Sequence, residues 1–202
     1  MGMLRTGFFF CLFVGAFLLT GAAEASWAHT HLKKAWQGQL SVQEVEDLTE
    51  AVETVDLATQ DGYWTVVLLA VHHDAIGDQE RACAEVGRLD DSKKFKRDMR
   101  LDTIRAACSL DAGDLTTAAK QAGRAVMAAA GTEPIDFVGI LFRAHALRAA
   151  ALVQIAAATP DDAGKRRQAT RALAAWEGAA RERNVPAALV EALASRAEFA
   201  EE

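Results

Sequence analysis

Two stretches of this chain share one skeleton. GDQERACAEVGR begins at Gly77 and GDLTTAAKQAGR begins at Gly113, and both read G-D-x-x-x-A-x-x-x-x-G-R. The same 36-residue interval joins Ala70 to Ala106, Ala82 to Ala118, Gly87 to Gly123 and Arg88 to Arg124. A fixed period of roughly 34 residues marks helix–turn–helix repeats, in which one unit cannot bury its apolar face without a neighbour. The individual residues suit that use. Glycine takes the left-handed conformation that ends a helix, the aspartate after it accepts from the free N–H groups of the next helix, and small alanines on either side let the two helices approach closely. The motif is therefore expected to build helical hairpins and to carry no chemistry of its own.

The intervening segments follow. YWTVVLLAVHHDAI, from Tyr63, is almost continuously apolar, and its valines favour a strand. Its place just before the first Gly-Asp turn makes it a helix instead. Alanine dominates the second half and only 3 prolines occur in 202 residues, so the composition reads all-α. Trp27, Leu32 and Trp36 share a helical face up to Gly38, and Ser41 with Glu44 forms a capping box opening a helix that turns Val45, Leu48, Val52 and Val55 to one side. Pro134 and Asp136 introduce a long apolar helix ending near Thr159. There Pro160 reads as a first helical residue after a capping Thr159, with Asp161 and Asp162 in the first turn. That helix runs toward Asn184 with Ala169, Leu173 and Trp176 inward. Gly164 and Ala169 echo the motif in degenerate form. Pro186 starts a last helix whose Leu189, Leu193 and Phe199 are apolar, suited to capping a stack.

The N-terminus sets the expected compartment. Arg5 precedes an apolar run from Gly7 to Leu19, and Ala23-Glu24-Ala25 supplies an A-x-A site, the pattern of a secretory signal over residues 1–25 cleaved after Ala25. The remaining residues, 26–202, form a single domain facing the periplasm or the exterior. The alternative is a retained anchor in the inner membrane, because adding Gly21 to Ala23 lengthens the apolar run. Cys11 lies inside the run and is read as part of the signal. Cys83 and Cys108 remain in a space where disulfides persist, near the facing ends of consecutive antiparallel helices, so a bridge between them is one reading and a pair of small buried hydrophobes the other.

From Tyr63 to Ala130 the chain resembles tetratricopeptide-type repeats, through Ala70, Gly77-Asp78 and Ala82 in one copy and Ala106, Gly113-Asp114 and Ala118 in the next. It departs from the pattern where Ala122 replaces a bulky residue and where no proline closes either copy before Pro134. The resemblance implies antiparallel hairpins stacked as a short right-handed solenoid with a C-terminal capping helix. It also implies a concave groove, lined by the first helix of each pair, that takes a protein or peptide. Along that groove the partner-binding candidates are Tyr63, Trp64, Arg100, Arg105, Phe142 and Arg143, since exposed aromatic residues and arginines anchor interfaces; the other reading of Tyr63, Trp64 and Phe142 is core, where aromatics supply buried area.

The sequence carries no G-x-S-x-G, H-E-x-x-H, C-x-x-C or Walker-type loop, so no enzymatic chemistry or cofactor is expected. A net charge of −6 offers no footprint for nucleic acid. His29 and His31 form an H-x-H short of a full metal-ligand set. His72 and His73 are expected as cations favouring a helix C-terminus, and His145 as a partly buried polar residue. The acidic helix after Ser41 reads as a solvated face, with an acidic binding strip as the alternative; Lys93–Arg97 and Lys165–Arg167, opposite in sign, read as solvated turns or helix starts, with steering of an acidic partner as the other reading. The expected function is an exported protein–protein adaptor or assembly factor for envelope proteins. The alternatives are a periplasmic helical bundle binding a metal or small molecule, and an anchored structural subunit of a membrane complex.

Overall fold

At Gly77 and Gly113 the backbone turns left-handed, with φ of 82° and 76°, and each glycine ends one helix two residues before the next begins. These turns belong to a computed structural model that describes residues 31–89, 98–129 and 138–182. A short helical segment at 31–36 precedes α1 (Val42–Thr54), α2 (Gln60–Ala75), α3 (Gln79–Arg88), α4 (Met99–Asp111), α5 (Leu115–Ala129), α6 (Val138–Ala157) and α7 (Ala163–Glu182). Among the described residues there is no strand.

The two motif copies close their turns with the same hydrogen bonds. The N–H groups of Ile76, Gly77 and Asp78 donate to the carbonyls of His72, Asp74 and His73 at 3.0, 3.2 and 2.8 Å. Those of Ala112, Gly113 and Asp114 donate to Cys108, Leu110 and Ser109 at 3.0, 3.0 and 2.8 Å, a match at every position. The aspartates then cap: Asp78 Oδ1 accepts from the Arg81 N–H at 3.2 Å and Asp114 Oδ1 from the Thr117 N–H at 3.1 Å. The closing pattern recurs at Gln37, Gly38 and Gln39, bonded to Lys33, Ala35 and Lys34, with Gly38 at φ 66°. No aspartate follows Gly38, and Ser41 caps α1 instead. Its hydroxyl accepts from Glu44 N–H at 3.2 Å while Glu44 Oε2 accepts from Ser41 N–H at 2.7 Å.

Each hairpin packs helix on helix, α2 on α3, α4 on α5 and α6 on α7, and successive hairpins touch through α2–α4, α3–α4, α4–α6 and α5–α6. The four alanines of the motif, Ala70, Ala82, Ala106 and Ala118, have no exposed surface, as close helix approach requires. Helix α2 is covered by α1, α3 and α4, so Val66 to Val71 are wholly buried. A helix buried all round needs no polar stripe, which explains a run that resembled a strand. From α1, Val52 is buried while Val45 and Leu48 pack against the same core. In α6, Gly139–Ala157 is long and apolar enough by length and composition to cross a bilayer, and it packs here against α4, α5 and α7.

The start of α7 corrects one expectation. The helix begins at Ala163, with Asp162 Oδ1 accepting from the Gly164 and Lys165 N–H groups at 2.9 and 3.1 Å. Asp162, with a carboxylate able to take two free donors, caps in place of Thr159, and Pro160 sits in the turn. The signal segment through Ala25 with Cys11, Trp27, His29, Lys93–Arg97, Pro134, Asp136 and the last helix from Pro186 lie outside the described residues.

Candidate functional site

Helices α2, α4 and α6 carry all six candidate anchors, and buried carboxylates meet the arginines among them. Asp98 opens α4. Its Oδ1 accepts from the Arg100 backbone N–H at 2.9 Å and from Arg100 Nε at 2.8 Å, while Oδ2 takes Arg100 Nη2 and the Tyr63 hydroxyl. The Arg100 guanidinium lies 5.0 Å from the centre of the Trp64 ring, a cation–π distance. Burial alone would raise the Asp98 carboxyl, but the Arg100 hydrogen bonds and charge override it and hold the group below the usual carboxylate range. Tyr63 is pushed upward by burial and then by the Asp98 charge, so it stays a neutral donor.

One turn along α4, Asp102 is buried with Arg105 Nη1 at 3.8 Å and Arg124 Nη2 at 3.4 Å. Burial raises this carboxyl, against the pull of Arg124 and Arg105. At the end of α2, Asp74 takes both guanidinium arms of Arg143 from α6. Trp36 also reaches α6: a Cβ added at Gly139 would stand 3.3 Å from its indole Cζ2. Helix α6 thus meets the end of α2 and the segment before α1.

These contacts decide between the two readings of the aromatics and revise the reading of the arginines. Phe142 is 1% exposed and faces Trp176 with ring centroids 6.2 Å apart, and Tyr63 is 7% exposed, so both belong to the core. Arg100, Arg105 and Arg143 are mostly buried and engaged with Asp98, Asp102 and Asp74. The reason is electrostatic: a guanidinium taken out of water needs an anion beside it. Trp64 is half-buried under Arg100. The sequence reading missed the three aspartates, although R-D-M-R-L-D-T-I-R places an acid two or three residues before Arg100 and Arg105.

Cys83 of α3 and Cys108 of α4 form a disulfide with Cα atoms 5.8 Å apart, stapling the first hairpin to the second. Gln79 Nε2 lies 3.5 and 3.6 Å from the two sulfurs. His72 and His73 depart from the expected cations. Both are buried, neither Nδ1 has a hydrogen-bond partner among the described residues, and burial lowers both pKa values, with His72 adding to the effect on His73. They favour the neutral form because burial outweighs what the Asp78 charge returns to His73, and His72 has no such anion acting on it. His145 is half-buried and lowered by burial and then by Arg148. His31 Nε2 lies 3.7 Å from Glu44 Oε1. Among the described residues no three or more His, Cys, Asp or Glu side chains converge as a metal cage.

In comparisons with known proteins, no family model, curated protein or solved structure matches this chain.

Proposed function

We propose that the chain is an exported helix-hairpin repeat protein that binds other envelope proteins as an adaptor or assembly factor. The observation that carries this reading is that the turns at Gly77 and Gly113 close with the same three hydrogen bonds and the same aspartate cap. Repeating one packing unit extends a surface, and extended helical surfaces bind other polypeptides. A disulfide between the hairpins suits a protein that works in an oxidising space.

The partner meets the outer surface in this reading, because the α2, α4 and α6 arginines are engaged internally. Met127 of α5 is 80% exposed, a large apolar side chain left in water of a type enriched at interfaces. A tagged chain recovered from the envelope after in-cell crosslinking tests the proposal. One dominant second polypeptide supports it; recovery of the chain alone with a stoichiometric metal or small molecule supports the bundle reading instead. The contacts of α6 with Trp36 and Asp74 favour that second reading over an open groove.

A further inference from the structure

Helices α1 and α7, at the two ends of the described element order, carry opposite charge. Helix α1 bears Glu44, Glu46, Asp47, Glu50 and Glu53 and no basic residue. Of these, Glu46, Asp47, Glu50 and Glu53 are exposed. Glu53 pairs with Arg88 at 2.9 Å and Asp47 accepts from Gln43, which leaves Glu46 and Glu50 stacked one turn apart. Helix α7 inverts the pattern. Lys165, Arg166, Arg167 and Arg171 occupy its first half, and no acid occurs between Ala163 and Trp176. Arg166, Arg167 and Arg171 are exposed; among the described residues none forms a close ion pair, and Arg167 acts on the capping Asp162 through its charge alone.

Each face is unfavourable alone. Like charges at i,i+4, as in Glu46 with Glu50 and Arg167 with Arg171, destabilise a helix, and a complementary surface relieves both. We propose that the occupant of the basic α7 face is the acidic α1 face of a second copy of this chain. The contact pairs α1 of one copy with α7 of another, and it builds open chains, or closed assemblies where the rotation between copies closes. Charge complementarity selects the register and makes the association salt-dependent.

Sedimentation velocity on the purified exported chain tests this. The expected result is a mean mass that rises with concentration in low salt and returns to monomer at about 0.5 M salt, where screening is nearly complete. Glu46→Lys with Glu50→Lys, and separately Arg167→Glu with Arg171→Glu, each abolish association while the helical circular dichroism stays unchanged. Mixing the two variants restores it, because reversed α1 then meets reversed α7 and the native pair of faces survives between them. A chain that stays monomeric in low salt at every concentration, whether its own C-terminal residues or nothing covers α7, overturns the proposal. So does a mixture that fails to associate.

Discussion

Arg143 of α6 forks onto Asp74 at the end of α2, 69 residues away, with Nη2 2.5 Å from Oδ1 and Nη1 on the other oxygen. Both side chains are largely buried, so the pair ties the third hairpin to the first across a region where water does not substitute. Replacing Asp74 by Asn leaves the guanidinium without its anion and is expected to cost about 3–5 kcal/mol, the range for stripping one partner from a buried pair. Asp74→Leu with Arg143→Leu removes both charges and recovers most of that loss. Urea denaturation of the single and double variants measures the difference.

The Cys83–Cys108 bridge closes a loop across a sequence separation of 25 residues. By the chain-entropy argument a loop of this size contributes about 3–4 kcal/mol. The double Cys→Ala variant therefore melts well below the oxidised protein, and adding reductant lowers the oxidised protein to nearly the same temperature. Reductant has no effect on the variant itself.

Three glycines divide by cause. Gly113→Ala forces a β-carbon into left-handed backbone with open space around it, costing about 1–2 kcal/mol. Gly62→Ala costs more, because its β-carbon would stand 2.4 Å from the Asp56 carbonyl oxygen and 2.7 Å from Leu57 Cα, and backbone must move. Gly87 sits in the last turn of α3 with nothing near its absent side chain, so Gly87→Ala stabilises by about 0.5–1 kcal/mol. Thermal melts of the three variants give the order.

Acid weakens the fold through α2. Burial lowers His72 and His73 below their ordinary 6.5, so the unfolded chain binds more protons and stability rises with pH. Their contribution is complete above about 6.5 and is lost as pH falls toward the lowered folded values. Glu85 and Asp102, raised by burial from 4.5 and 3.8, act in the opposite sense. They hold protons more tightly when folded and return part of the loss as pH falls toward those ordinary values. Urea midpoints between about pH 7 and 5 decline for the native chain, and His72→Leu flattens the decline.

Turns were more legible in the sequence than burial was. Gly77 with Asp78, and Gly113 with Asp114, announce their hairpins because a left-handed glycine and the next helix's cap are set within a few residues. The Gly38 turn has the same hydrogen bonds yet lacks both the aspartate and the 36-residue interval, so the sequence marks a helix end there but not its kinship with the other two turns. Arg143 looked like a surface anchor because its partner is distant: Asp74 becomes its neighbour only when α6 folds back past α4. His72 and His73 stand at a helix end, where charge is favourable, but the packing around α2 withdraws them from water and reverses that preference.

Photocrosslinking in cells tests most directly whether the outer surface binds another protein. A photoreactive residue replaces exposed Met127 or Lys120 of α5 in one pair of strains and half-buried Trp64 or mostly buried Arg105 in another. The account predicts one dominant envelope polypeptide captured from the α5 positions and not from Trp64 or Arg105. Capture from Trp64 or Arg105 alone, or no second polypeptide from any position with a bound metal or small molecule recovered in the purified chain, would contradict it.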